Sequence, residues 1–87
     1  MTLVSLPSSP NLENAILEVL KRSAGELTNE QITQEVIVLL SISKEAQQIL
    51  HTPTRTELDY RLAWARTRAS KKNLIERTAP KTWKMKN

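Results

Sequence analysis

A mainly α-helical α+β domain is the fold class that this 87-residue sequence predicts: three main helices, one short extra helix and a C-terminal two-stranded hairpin. Three observations predict it. Apolar residues recur at helical spacing in three separate blocks. Each block opens on a serine, threonine or asparagine suited to capping a helix. The last dozen residues then lose the helical period and break at a proline.

Residues 1–9 carry Pro7, Ser8 and Ser9, show no period, and read as a flexible N-terminal arm ahead of a domain over 10–87. Pro10 suits the first helical position after a Ser9 cap, with Asn11 the other candidate cap. Leu12, Ile16, Val19 and Leu20 then fall on one helical face. Gly25, the only glycine, is expected to end the helix in the left-handed conformation. A short strand is expected at Leu27. Thr28 and Gln31 form a capping-box pair, and Leu27 before the cap faces Ile32 as a staple. The second helix runs to about Leu40, with Ile32, Val36, Leu39 and Leu40 inward. Ser43 caps a short helix over Lys44–Leu50, broken at Pro53 because the residue before proline avoids helical angles.

The third main helix starts near Thr56. Glu57 and Asp59 in its first turn complement the dipole, Leu58, Leu62, Ala65 and Ala69 line its inner face, and Asn73 ends it. Leu74–Arg77 and Thr82–Met85 make a hairpin around Thr78-Ala79-Pro80-Lys81. Helix, short strand, helix, helix and hairpin in this order predict a winged helix-turn-helix, the hairpin being the wing.

Charge is distributed unevenly. Residues 1–54 hold three lysines and arginines against six glutamates, net −3, and residues 55–87 hold ten against three acids, net +7, giving the overall +4. A basic back on a small domain suggests a polyanion-binding face, the competing reading being an ordinary solvated surface. Projection of the third helix puts Thr56, Tyr60, Ala63, Thr67, Ser70 and Lys71 opposite the core. Arg61, Arg68 and Lys72 flank one edge and Arg66 the other. A polar face with cations at its rim suits the major groove of double-stranded DNA. Arg55 and Thr56 stand at the helix start, where free N–H groups favour phosphate. Lys81 and Lys84 on the hairpin can reach the neighbouring backbone or simply keep an edge strand soluble. The candidate DNA contacts are therefore Arg55, Thr56, Tyr60, Arg61, Thr67, Arg68, Lys71, Lys72, Lys81 and Lys84. Trp64 is expected to pack from the third helix against the hairpin near Trp83.

Catalysis is not expected. His51 is the sole histidine and there is no cysteine, so no zinc set, thiol nucleophile or disulfide can form. One glycine cannot build a phosphate-cradling loop. No cofactor or metal is expected. Met1–Leu6 lacks the basic start and apolar run of a secretory leader, no run of roughly 18–20 apolar residues occurs, and a cytoplasmic location is expected.

The segment Leu62-Ala63-Trp64-Ala65-Arg66-Thr67, followed by Lys71-Lys72-Asn73-Leu74-Ile75-Glu76, resembles the W-A-R-(S/T)-x-L-K-K-A-G-L-(L/I) signature of the N-terminal winged-helix domain of Mrr-type restriction endonucleases. Gly25-Glu26-Leu27-Thr28, Leu40-Ser41-Ile42-Ser43 and Trp83 fit the same spacing, so the resemblance covers roughly residues 12–86. Asn73 stands where that family usually has glycine, Arg68 and Ala69 where it tends to have an aromatic or aliphatic pair, and Ala79-Pro80-Lys81-Thr82 replaces a more basic wing tip. The resemblance implies a non-catalytic DNA-recognition module of a restriction or defence system, beside a separate nuclease partner or as a stand-alone relative. The rival expectation is a protein-interaction or homodimerisation adaptor that does not bind DNA.

Overall fold

The computed structural model describes residues 6–23 and 25–86. Ser8 caps α1 (Ser9–Arg22), its hydroxyl accepting from the Asn11 amide at 3.5 Å. The cap falls one residue before the expected Ser9, and Pro10 is tolerated there because first-turn N–H groups have no helical partner in any case. Of the expected N-terminal arm, Met1–Ser5 lie outside the described residues, while Leu6 packs against the core. Leu12, Ile16, Val19 and Leu20 are all buried, as their spacing requires.

The end of α1 differs from expectation. Ser23 is the cap and Gly25 does not take a positive φ. The Ser23 hydroxyl donates toward the carbonyls of Leu20 (3.0 Å) and Gly25 (3.1 Å), so a side chain does the work assigned to a left-handed glycine.

β1 (Leu27–Thr28) leads into α2 (Asn29–Leu40) through the full capping box. The Gln31 amide donates to Thr28 Oγ1 at 3.2 Å and the Thr28 amide to Gln31 Oε1 at 2.9 Å. Ser41 ends α2 at φ 51°, and the next amide, Ile42, closes back on the Ile37 carbonyl at 3.0 Å. Left-handed backbone at a residue with a Cβ costs about 1–2 kcal/mol, and burial of Ile42 in the core offsets it.

Ser43 caps α3, which spans only Lys44–Gln47 rather than reaching Leu50. Leu50–Thr52 instead forms β2, paired with β3 (Arg55–Thr56) across Pro53-Thr54. Pro53 drives its predecessor out of the helical region, and the extended geometry propagates back to Leu50. The Glu57 amide donates to the Ile49 carbonyl at 2.8 Å, pinning this ribbon to the start of α4 (Glu57–Lys71). Thr56 caps α4, accepting from the Asp59 amide at 3.2 Å, and Asn73 turns the chain at φ 61° as expected.

β4 (Ile75–Ala79) and β5 (Thr82–Met85) form the C-terminal hairpin. Its turn is shorter than the four residues expected. Only Pro80-Lys81 lie between the strands, with Lys81 at φ 59°. Proline at the first central position and a positive φ at the second meet the φ demands of a type II turn. β5 also pairs with β1, giving an antiparallel sheet in the order β1-β5-β4.

The described residues thus form an α+β fold of four helices and small antiparallel sheets. α1 packs across both α2 and α4. Leu12, Ile16, Ile32, Val36, Leu62 and Ile75 are fully buried where these helices meet the sheet. Among the described residues no helix is long and apolar enough to cross a membrane.

Candidate nucleic-acid interface

The inner stripe of α4 fixes which of its side chains reach solvent. Leu58, Leu62, Ala65 and Ala69 are buried, so the opposite face presents Tyr60, Trp64, Thr67 and Lys71 outward. Tyr60 stacks on His51 of β2 at 3.7 Å between ring centroids, 14° from parallel, and meets Trp64 edge-on at 6.5 Å. Arg55 lies 5.7 Å from the Tyr60 centroid and donates to Asp59 Oδ2 at 2.6 Å. The Thr67 hydroxyl donates to the Ala63 carbonyl one turn back.

The candidate cations divide into two groups. Arg61 faces the α1 side, donating to Glu57 Oε1 at 3.0 Å and to the Pro7 carbonyl at 3.3 Å. Lys72 is 2.9 Å from Glu13 of α1. Arg68 shares that edge by helical phase, and its Nη2 is buried without a hydrogen-bond partner. Lys84 is held at 3.2 Å by Glu76, its cross-strand neighbour. Arg61, Lys72 and Lys84 are therefore committed to acids, and Arg68 is partly buried, rather than standing free on the outer face of α4. Arg55, Thr56, Tyr60, Thr67, Lys71 and Lys81 remain on the outer face of α4, its N-terminal turn or the hairpin tip.

Two further expectations are corrected. Arg66 does not flank the exposed face. It is 6% exposed, buried at the edge of α4 that faces the hairpin. Trp64 does not pack near Trp83. It is 48% exposed on the outer face, while Trp83 packs against the core from β5 and donates from Nε1 to Asn29 Oδ1 at 2.8 Å. The Asn29 amide in turn donates to the Lys81 carbonyl at 2.8 Å, so the first residue of α2 holds the hairpin turn at two points.

This tie leaves a cleft of about 570 Å³ between the hairpin turn and the starts of α2 and α4, lined among others by Asn29, Glu30, Arg55, Asp59, Arg66 and Lys81. Arg66 and Asn29 are members that sequence reasoning missed. The Arg66 position inside the Trp64-Ala65-Arg66-Thr67 motif was the available signal.

The model of the Mrr N-terminal domain family matches residues 11–86. The chain belongs to the Mrr N-terminal domain family. Membership gives it a restriction-system context, and the match covers every described helix and strand except the first two residues of α1. No curated protein and no solved structure matches the chain. Among the described residues no group of three or more acidic or histidine side chains is placed to hold a metal ion.

One ionisable cluster braces this Mrr N-terminal domain at the start of α4. Glu57 receives Arg61 Nε on one oxygen and, at 2.9 Å, His51 Nδ1 on the other. The Arg61 hydrogen bond, the largest effect, holds the Glu57 carboxyl below its ordinary 4.5; burial opposes it, and the His51 bond adds to the lowering. A carboxylate depressed in the folded state stabilises it above the ordinary value, and that stability is lost as pH falls through the lower folded value. Glu57→Gln is therefore expected to be less stable than wild type at about pH 6, the difference closing towards about pH 3. Urea unfolding across that range checks it, and a pH-independent difference excludes the role.

Proposed function

We propose that the domain is a non-catalytic winged-helix module that binds double-stranded DNA within a restriction system, with α4 as the helix offered to the major groove and the β4–β5 hairpin as the wing. The observation that carries this reading is the outer face of α4. Trp64, Thr67 and Lys71 stand exposed on it, with Tyr60 half-buried against His51 and Arg55, paired with Asp59, at its start. Lys81 stands exposed at the hairpin tip, and neither Lys71 nor Lys81 is engaged in an ion pair among the described residues. Charge on uncommitted side chains is what a phosphate backbone can recruit, since cations already neutralised by glutamates release fewer counterions from DNA. The element order and the pairing of β1 with β5 support the winged-helix reading.

Fluorescence anisotropy of a labelled duplex, titrated across salt concentrations, tests it. With three to five phosphate contacts, the slope of log affinity against log salt is expected near −3 to −4.5, at about 0.9 per phosphate. Absence of binding at low salt, or affinity indifferent to salt, overturns it.

One observation favours a second reading. The exposed Trp64, stacked through Tyr60 onto His51, is an aromatic surface of the kind that anchors protein partners. Light scattering in the same buffer separates the two: a concentration-dependent dimer without DNA binding supports an adaptor.

A further inference from the structure

Burying an arginine and leaving it without a counter-charge is costly. Guanidinium has five donors and no acceptor, and an uncompensated buried charge destabilises a protein by several kcal/mol. Arg66 comes near that position, with no direct ion pair among the described residues and only the more distant charge of Asp59 to offset its own. It is 94% buried by complement of its 6% exposure, its Nη1 has no hydrogen-bond partner, and it lines the cleft beneath the hairpin turn. Asp59, a carboxylate in the same cleft wall, already accepts from Arg55 Nε at 2.6 Å.

We infer that this cleft is a phosphoryl-anion site in which the Arg66 guanidinium makes the principal contact, with Arg55 and Lys81 on its rim. The inference deepens the DNA-binding reading and rests on it for one of two ligand sources, a backbone phosphodiester. The other source is a free or terminal phosphate. Three features point to a tetrahedral oxyanion. Arg66 lines the cleft and carries a planar fork whose buried Nη1 has no partner among the described residues. Lys81 and Arg55 enter from two other directions, the turn and the start of α4. Asn29 also lines the cleft, and its side-chain NH2 group, a donor, is used by no hydrogen bond among the described residues. Several oxygens pointing apart can satisfy donors converging from separate elements, which a flat two-oxygen carboxylate does less completely. Glu30 and Asp59 in the same walls oppose anions, so a lone phosphate is held weakly, in the millimolar range. A phosphate presented by a docked duplex is held through its neighbours' contacts as well.

Burial lowers the Arg66 pKa from its ordinary value, Asp59 raises it in part and Arg55 lowers it further. A bound oxyanion restores the balance that burial removes.

Arg66→Met tests the assignment because it keeps an unbranched stem against the core and removes the charge. Inorganic phosphate is titrated into wild type and variant at constant ionic strength, read by melting temperature and by the Asn29 and Lys81 backbone amide resonances. In wild type, phosphate is expected to raise the melting temperature above that in chloride and to move both resonances to saturation. In Arg66→Met both responses vanish, although the variant melts no lower than wild type in chloride. Binding of a blunt duplex without terminal phosphates is expected to weaken roughly tenfold, as loss of one charge-assisted contact implies, and Arg66→Lys recovers part of it.

If the phosphate responses depend on Arg66 but duplex affinity does not, the site stands and its source is a free or terminal phosphate. A 5′-phosphorylated duplex tells those apart. If wild type binds duplex while phosphate moves nothing and Arg66→Met leaves duplex affinity unchanged, the site is overturned and the DNA-binding reading survives. If phosphate acts equally on the variant, or the variant melts several degrees lower in chloride, Arg66 is a structural cation and the inference fails. Should Arg66→Met not fold, the wild-type phosphate titration and Arg66→Lys decide the same question.

Discussion

Arg55→Ala, Lys71→Ala and Lys81→Ala combined are expected to lower affinity for duplex DNA about 30-fold at low salt and to flatten the salt dependence by nearly two, chiefly through Lys71 and Lys81 because Arg55 is already paired with Asp59. The first figure assumes about 1 kcal/mol for each exposed charge-assisted contact, and the second about 0.9 in slope for each phosphate released. None of these side chains enters the core, so the helical circular dichroism and melting temperature should change little. The control is Arg61→Ala with Lys72→Ala. Those cations are committed to Glu57, the Pro7 carbonyl and Glu13 on the α1 side. The pair should cost some stability and little affinity. If the control weakens DNA binding as much as the triple variant does, the recognition face lies on the α1 edge and the orientation proposed for α4 is wrong.

Leu62→Ala should produce the largest loss of stability of any single truncation in α4. Leu62 is fully buried where α4 crosses α1, and removing it leaves a cavity that neighbouring helices cannot close. Such truncations cost about 2–5 kcal/mol, against a total of roughly 4–13 kcal/mol for a chain of this length. At about 4–8 °C for each kcal/mol, the melting temperature falls by at least roughly 8 °C. Thermal circular dichroism measures this, with Val38→Thr as a reference. Val38 is 74% exposed on α2 and its replacement should move the midpoint little. A Leu62→Ala midpoint within two or three degrees of wild type is incompatible with the packing of α4 on α1.

Where local chemistry decides the structure, the sequence was readable. The Thr28–Gln31 capping box, the Ser43 and Thr56 caps, the Asn73 turn and the four-residue inner stripe of α4 each need only neighbours within a few positions. The β2–β3 ribbon was not readable, because strands of two or three residues carry no period and arise here from Pro53. Ser23 displaced Gly25 as the end of α1 because a hydroxyl could satisfy the last carbonyls.

The site was legible only in part, since its key contacts span long stretches of chain. Arg61 reaches the Pro7 carbonyl and Trp83 reaches Asn29, each 54 residues away. A helical projection sees Arg66 as a flanking cation because it contains α4 alone. The hairpin returning beside α4 converts that edge into an interior wall. The same return leaves Trp64 outside, where helical phase alone could not say which edge the hairpin would cover.

The double anchorage of the hairpin turn to Asn29 has a consequence for how fast a complex can form. A loop that must first search for its bound shape slows association and adds an ordering penalty on arrival. Here the turn is already set in place by the Trp83 indole and the Lys81 carbonyl. Only the rotamers of long side chains such as that of Lys81 remain to be frozen, at about 0.5–1.5 kcal/mol each. Encounter should therefore proceed at a rate governed by charge and diffusion, and loosening the anchorage with Asn29→Ala, which removes the Trp83 bond and leaves the backbone bond to Lys81, should slow arrival before it speeds departure.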